Sequence, residues 1–178
     1  MTGVELRVMK FIKVALTALM MVMTGNGQAT TTTATLAINV TFTQPSCDIK
    51  VPSSYDLGSL NPGSKEHGDL KITWICEGNR PVKTALTAGI VMGTADDDNK
   101  VRLMTGGGQA TGAALSLKEK KSGTLIKLTG HDVKDYFCSD RSATIGMHTC
   151  TLTPITEVDH QGPFGLASAT LNFAVAYP

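Results

Sequence analysis

From Thr33 to Gln44 the chain alternates: Ala34, Leu36, Ile38, Val40 and Phe42 fall on one parity, and Thr33, Thr35, Ala37, Asn39, Thr41 and Thr43 on the other. Successive side chains of an extended chain point to opposite faces, so this stretch predicts a β-strand with one apolar and one wet edge. The alternation recurs from Asp69 to Cys76, with Leu70, Ile72, Trp74 and Cys76 on one face and Lys71, Thr73 and Ile75 on the other. It directs the only Trp of the chain at a core. Ala169 to Pro178 closes the sequence in the same way, with Leu171, Phe173, Val175 and Tyr177 on one face.

Shorter apolar pieces lie between these three, cut by Pro and Gly, which is the grammar of strands and turns. Asp48–Val51, Tyr55–Leu60, Val82–Val91, Val101–Met104, Leu115–Lys118, Thr124–Leu128 and Met147–Ile155 read as strand pieces. Asp96–Asn99, Gly106–Gly108 and Asp159–Pro163 read as loops. No stretch of ten or more residues carries a 3.6-residue period. The pattern predicts an all-β sandwich of immunoglobulin-like type, without internal repeat, linker or second domain.

The first residues stand apart. Arg7, Lys10 and Lys13 precede an apolar run from Val14 to Met23, and Gly27 and Ala29 supply small residues before a cleavage point, so residues 1–29 read as a secretory signal. Met9 is an alternative start. A run of this length is too short to span a hydrocarbon core, which predicts no stable membrane insertion. Removal of the signal takes three of the 16 basic and one of the 15 acidic residues, leaving 13 against 14. A net charge of −1 offers nucleic acid no electrostatic attraction. Cys47, Cys76, Cys138 and Cys150 all remain, and an even count in an exported chain reads as two disulfides. Cys47 with Cys76 and Cys138 with Cys150 is the simplest of three connectivities.

Candidate chemistry is sparse. His67, His131, His148 and His160 are scattered without metal-ligand spacing and read as surface or loop residues. Asp96–Asn99 lacks the spaced ligands and distal Glu of a calcium loop. Gly106–Gly108 lacks the Lys-Ser/Thr of a phosphate loop, and no nucleophile elbow is present. Asn39-Val40-Thr41 fits a glycosylation sequon inside a strand expected to be buried. These residues predict a non-enzymatic protein without cofactor or metal.

An alternating N-terminal strand ending just before Cys47, a second cysteine closing the Trp74 strand, the Tyr55-Asp56-Leu57-Gly58 piece and an alternating C-terminal strand with Tyr177 next to last occur in that order behind a signal. In this the chain resembles the chaperone-usher fimbrial subunits, the pilins of bacterial surface fibres, over its whole mature length. The resemblance implies an incomplete immunoglobulin-like sandwich that lacks its last strand (residues 45–178), preceded by a donor-strand extension (residues 30–44). It implies that Ala34, Leu36, Ile38, Val40 and Phe42 are donated to a neighbouring subunit. Leu171, Phe173, Val175, Tyr177 and the Pro178 carboxylate would form the strand first captured by a periplasmic chaperone. An outer-membrane usher and neighbouring pilins are the further partners implied, on a route through the periplasm to a cell-surface fimbria that contributes to adhesion. The resemblance departs at Val40, where such extensions commonly carry Gly, and in the extra Cys138/Cys150 pair. The residues alone leave two alternatives open: the Thr33–Gln44 strand completes its own sandwich, or the chain is a secreted immunoglobulin-like module recognising host glycan or protein.

Overall fold

The computed structural model describes residues 45–130 and 135–178. The expected signal (1–29), the donor extension (30–44) with Ala34, Leu36, Ile38, Val40 and Phe42, the Asn39 sequon and His131 lie outside the described residues. Within them the chain forms eleven strands and no helix: β1 (Cys47–Lys50), β2 (Gly63–Glu66), β3 (Leu70–Cys76), β4 (Ala85–Met92), β5 (Thr94–Asp97), β6 (Lys100–Thr105), β7 (Ala110–Glu119), β8 (Thr129–Gly130), β9 (Met147–Val158), β10 (Ala167–Ser168) and β11 (Thr170–Ala176). No helix among the described residues is long and apolar enough to cross a membrane.

The strands form two sheets, all paired antiparallel. The larger runs β1-β3-β9-β7-β6-β10, with β2 added to β9 and β5 to β6; the smaller is β11-β4-β8. Trp74 behaves as the alternation predicts: Leu70, Ile72 and Trp74 are buried from one face of β3 while Lys71 and Ile75 of the other are exposed. Leu117 of β7, Val101 of β6 and Leu152 of β9 join them, and Leu86 and Ala88 of β4 meet them from the smaller sheet. This apolar layer between two sheets is the core of the sandwich. Phe137 edges against Phe173 of β11 with ring centroids 6.4 Å apart.

Both disulfides form as the simplest connectivity predicts, Cys47 with Cys76 and Cys138 with Cys150. Cys47 and Cys76 sit directly opposite in the β1–β3 ladder, so that bridge ties the start of the domain to its core strand.

Several local expectations need correction. Thr94–Asp97 is a strand, so the Asp96–Asn99 loop shrinks to a turn at Asp98–Asn99 between β5 and β6. All four residues of β5 are exposed, and a strand with neither face buried carries no alternation to detect. Tyr55–Leu60 forms no strand; Gly58 adopts a positive φ of 66° there and its N–H is held by the Asp56 carboxylate at 2.8 Å. Thr124–Leu128 buries Ile126 and Leu128 but pairs only through isolated bonds, the Ile126 N–H donating to the Leu117 carbonyl at 2.9 Å. His148 is no surface residue: it is 6% exposed and stacks on Trp74.

Candidate strand-accepting groove

The C-terminal alternation places Leu171, Phe173 and Val175 of β11 in one row against the core. β11 pairs with β4 from Thr170 to Ala176, yet it is the last strand of its sheet, and its other edge has no ladder partner among the described residues. Its apolar row is accordingly only half-buried, although Leu86 and Ala88 on the neighbouring β4 are fully covered. An edge strand with a half-covered apolar face carries two unsatisfied demands: backbone N–H and C=O groups without partners, and hydrophobic area still in water.

Beside that edge runs a cleft of about 770 Å³. Leu171 and Phe173 form one wall, the irregular Val51–Leu60 segment forms the other, and Leu70, Leu103 and Leu117 of the larger sheet lie along the floor. Val51–Leu60 makes no ladder of its own, which is why the space between it and β11 stays open. Sequence reading identified Leu171 and Phe173. It missed Leu103, Leu117 and the rim residues Phe164 and Leu166, whose only signal was apolar character in stretches read as strand and turn.

The cleft lining stops short of the end of β11. The Tyr177 hydroxyl donates to the Pro45 carbonyl, and its oxygen lies 2.8 Å from Cys47 Sγ. Burial raises the pKa of this phenol above its ordinary value, so it stays a neutral donor at physiological pH. Tyr177 therefore fastens the end of β11 to the start of the domain, while Val175 packs on the core outside the cleft lining and Pro178 is exposed. No group of three or more potential metal ligands occurs among the described residues. What this arrangement can do is hold an extended apolar segment: backbone hydrogen bonds along β11, and alternate side chains pressed onto the leucine floor.

A second cluster is polar and structural. The Trp74 indole N–H donates to Thr84 Oγ1 at 2.9 Å, and the Thr84 hydroxyl and N–H both donate to Asp140 Oδ2, at 2.7 and 2.9 Å. His148 Nδ1 lies 3.1 Å from the same oxygen. Thr84 is fully buried and His148 nearly so. The network anchors the Cys138–Thr144 loop to the core.

Comparison with known proteins points to the same architecture. No protein-family model matches the chain, and no curated protein does. Among solved structures, the crystal structure of the P pilus rod subunit PapA superposes with a TM-score of 0.55 at 18% identity, covering 74% of this chain and 99% of that one. The structure of a chaperone-usher pilus, studied for rod uncoiling, superposes with a TM-score of 0.52 at 18% identity, covering 83% and 96%. The described domain has the all-β, immunoglobulin-like fold of these pilus subunits.

Proposed function

We propose that the chain is a structural subunit of a chaperone-usher pilus, captured in the periplasm by a chaperone and joined to its neighbours by donor-strand exchange at an outer-membrane usher, in a surface fibre that contributes to cell adhesion. The observation that carries this reading is the unpaired edge of β11 with its half-covered apolar row, in a fold shared with a P pilus rod subunit. A strand from another protein answers both demands of that edge at once, first from the chaperone and then from the extension of the next subunit.

Ala34, Leu36, Ile38, Val40 and Phe42 are the donated residues in this reading. Leu36, Ile38, Val40 and Phe42 would contribute on the order of 10 kcal/mol before ordering costs, at about 1.5–3 kcal/mol for each large side chain buried. Leu171, Phe173, Val175 and Tyr177 form the accepting strand, with the Pro178 carboxylate as an anchor for the chaperone.

The position of Pro45 argues that the donor comes from another copy. Residues 30–44 join the domain where β11 ends, at the Tyr177–Pro45 bond. Inserted into its own groove, the segment would have to reverse at Thr43–Gln44 and run parallel to β11. A segment from a second copy is free to enter antiparallel, the slightly more stable pairing.

The test is co-expression of the chain with a pilus chaperone. Ile38→Asp is expected to abolish incorporation as a donor while leaving a one-to-one chaperone complex intact, because the extension is no part of the accepting groove. Phe173→Asp is expected to lose both. Loss of the chaperone complex on Ile38→Asp would count against the assignment of donor and acceptor.

A further inference from the structure

The described domain has two ends with exposed apolar side chains. At the entry end, where the Glu77 N–H donates to the Ser46 carbonyl at 2.8 Å and Cys47 faces Cys76, Ile75 pairs across the ladder with Met147. Ile75, Met147 and nearby Ile145 are 49%, 71% and 60% exposed. From Met147 strand β9 runs to Val158, about 36 Å away at 3.3 Å per residue. There, at the groove end, the following loop carries Phe164 and Leu166 on the rim of the cleft, 81% and 93% exposed. A single exposed apolar side chain is ordinary. Two of the most exposed large ones, two residues apart on a groove rim, are not explained by the domain's own packing.

We propose that these two clusters form a head-to-tail contact between successive copies of this chain, with Phe164 and Leu166 of one copy packed on Ile75, Ile145 and Met147 of the next. The inference rests on the donor-strand reading above. A segment lying antiparallel to β11 of a neighbour brings Phe42 to the start of that strand, beside Leu171 and the rim loop. Only Thr43 and Gln44 separate Phe42 from Pro45, a reach of about 10 Å when extended. The entry end of the incoming domain is thereby held next to the rim, apolar cluster against apolar cluster. A contact between unlike ends does not close on itself and repeats along a fibre. Five side chains bury far less than the roughly 1,200 Å² of a stable interface, so the contact forms only where the filled groove already tethers the two copies.

Photo-crosslinking tests it in the full chain, assembled with a pilus chaperone and usher from an equal mixture of isotopically light and heavy copies. One variant carries p-benzoylphenylalanine in place of Phe164 and another in place of Leu171. The first is expected to yield adducts with Ile75, Ile145 or Met147 of a second copy, and the second adducts within residues 34–42 of a second copy. Met147→Asp is expected to lower the first yield by at least about tenfold, because a carboxylate buried against the aromatic side chain at position 164 loses its hydration, and to leave the second unchanged. Adducts at position 171 alone would overturn the head-to-tail contact and keep donation. Adducts at position 164 alone would show the two clusters meeting without the tether and so overturn donation together with the tethered contact, and none between copies at either position would overturn both.

Discussion

At the residue scale the polar atoms inside the sandwich decide more than their number suggests. Asp140 Oδ2 gathers the Thr84 N–H, the Thr84 hydroxyl and His148 Nδ1. Asp140→Ala strands the fully buried Thr84 donors, which costs about 1–3 kcal/mol for each group left unpaired. Urea unfolding should show a loss of about 2–4 kcal/mol; a loss within a few tenths of zero would mean that other groups satisfy Thr84. Trp74 was legible from its place in an alternating strand. Its partners were not, because Thr84, Asp140 and His148 come from three separate segments and a hydrogen bond across them leaves no periodic trace. His67 supplies a pH dependence. Its Nε2 lies 2.8 Å from Thr156 Oγ1, and burial, helped by the Lys65 charge, lowers its pKa below the ordinary 6.5. The unfolded chain then binds the proton more readily, so this stability is present above about pH 6.5 and is lost as pH falls through the lowered value. Asp69, held down first by its bond to Lys120 and then by Thr153, adds a further loss below the ordinary carboxylate range. The urea midpoint should therefore fall from about pH 7.5 to about pH 5, and His67→Gln should flatten that fall. An equal fall in the variant would assign it elsewhere.

At the element scale, β3 and β11 were readable because apolar side chains alternate with polar or small ones along each; β3 buries its apolar row and β11 half-covers its own. β7 runs longer than the Leu115–Lys118 piece because its first half, Ala110 to Ala114, is Ala, Thr and Gly and offers little hydrophobic contrast. Gly112 within it is required by contact: a Cβ there would meet the Gln161 carbonyl oxygen at 2.2 Å. That backbone approach seats the loop carrying Phe164 and Leu166. Gly112→Ala is expected to displace the loop and to speed amide exchange at Gln161–Leu166, with β3 unaffected; unchanged exchange would show that the loop is held by other contacts. The Cys138–Cys150 bridge closes a loop of twelve residues' separation. Replacing both cysteines by Ala should lower stability by about 3 kcal/mol in the chain-entropy account. The sequence pattern announced the pairing by proximity, but that this loop presents Asp140 to the core appeared only in three dimensions.

At the scale of the whole molecule, the all-β class and the incomplete sandwich follow from short alternating strands and an unpaired last one. The groove itself was legible on one wall only. Leu171 and Phe173 alternate, whereas Val51–Leu60 and the leucine floor come from strand and loop residues that come to line one cleft only through the gap between two sheets. A sandwich that leaves an apolar cleft beside a free strand edge is prone to associate, and the proposed donation of residues 30–44 would turn that liability into directed assembly. The most direct measurement is light scattering and electron microscopy of the mature chain, assembled with and without residues 30–44. The account predicts linear multimers for the full mature chain, and chaperone-bound but unpolymerised subunit when those residues are removed. A stable monomer of the full mature chain, with residues 30–44 seated in its own groove, would contradict it.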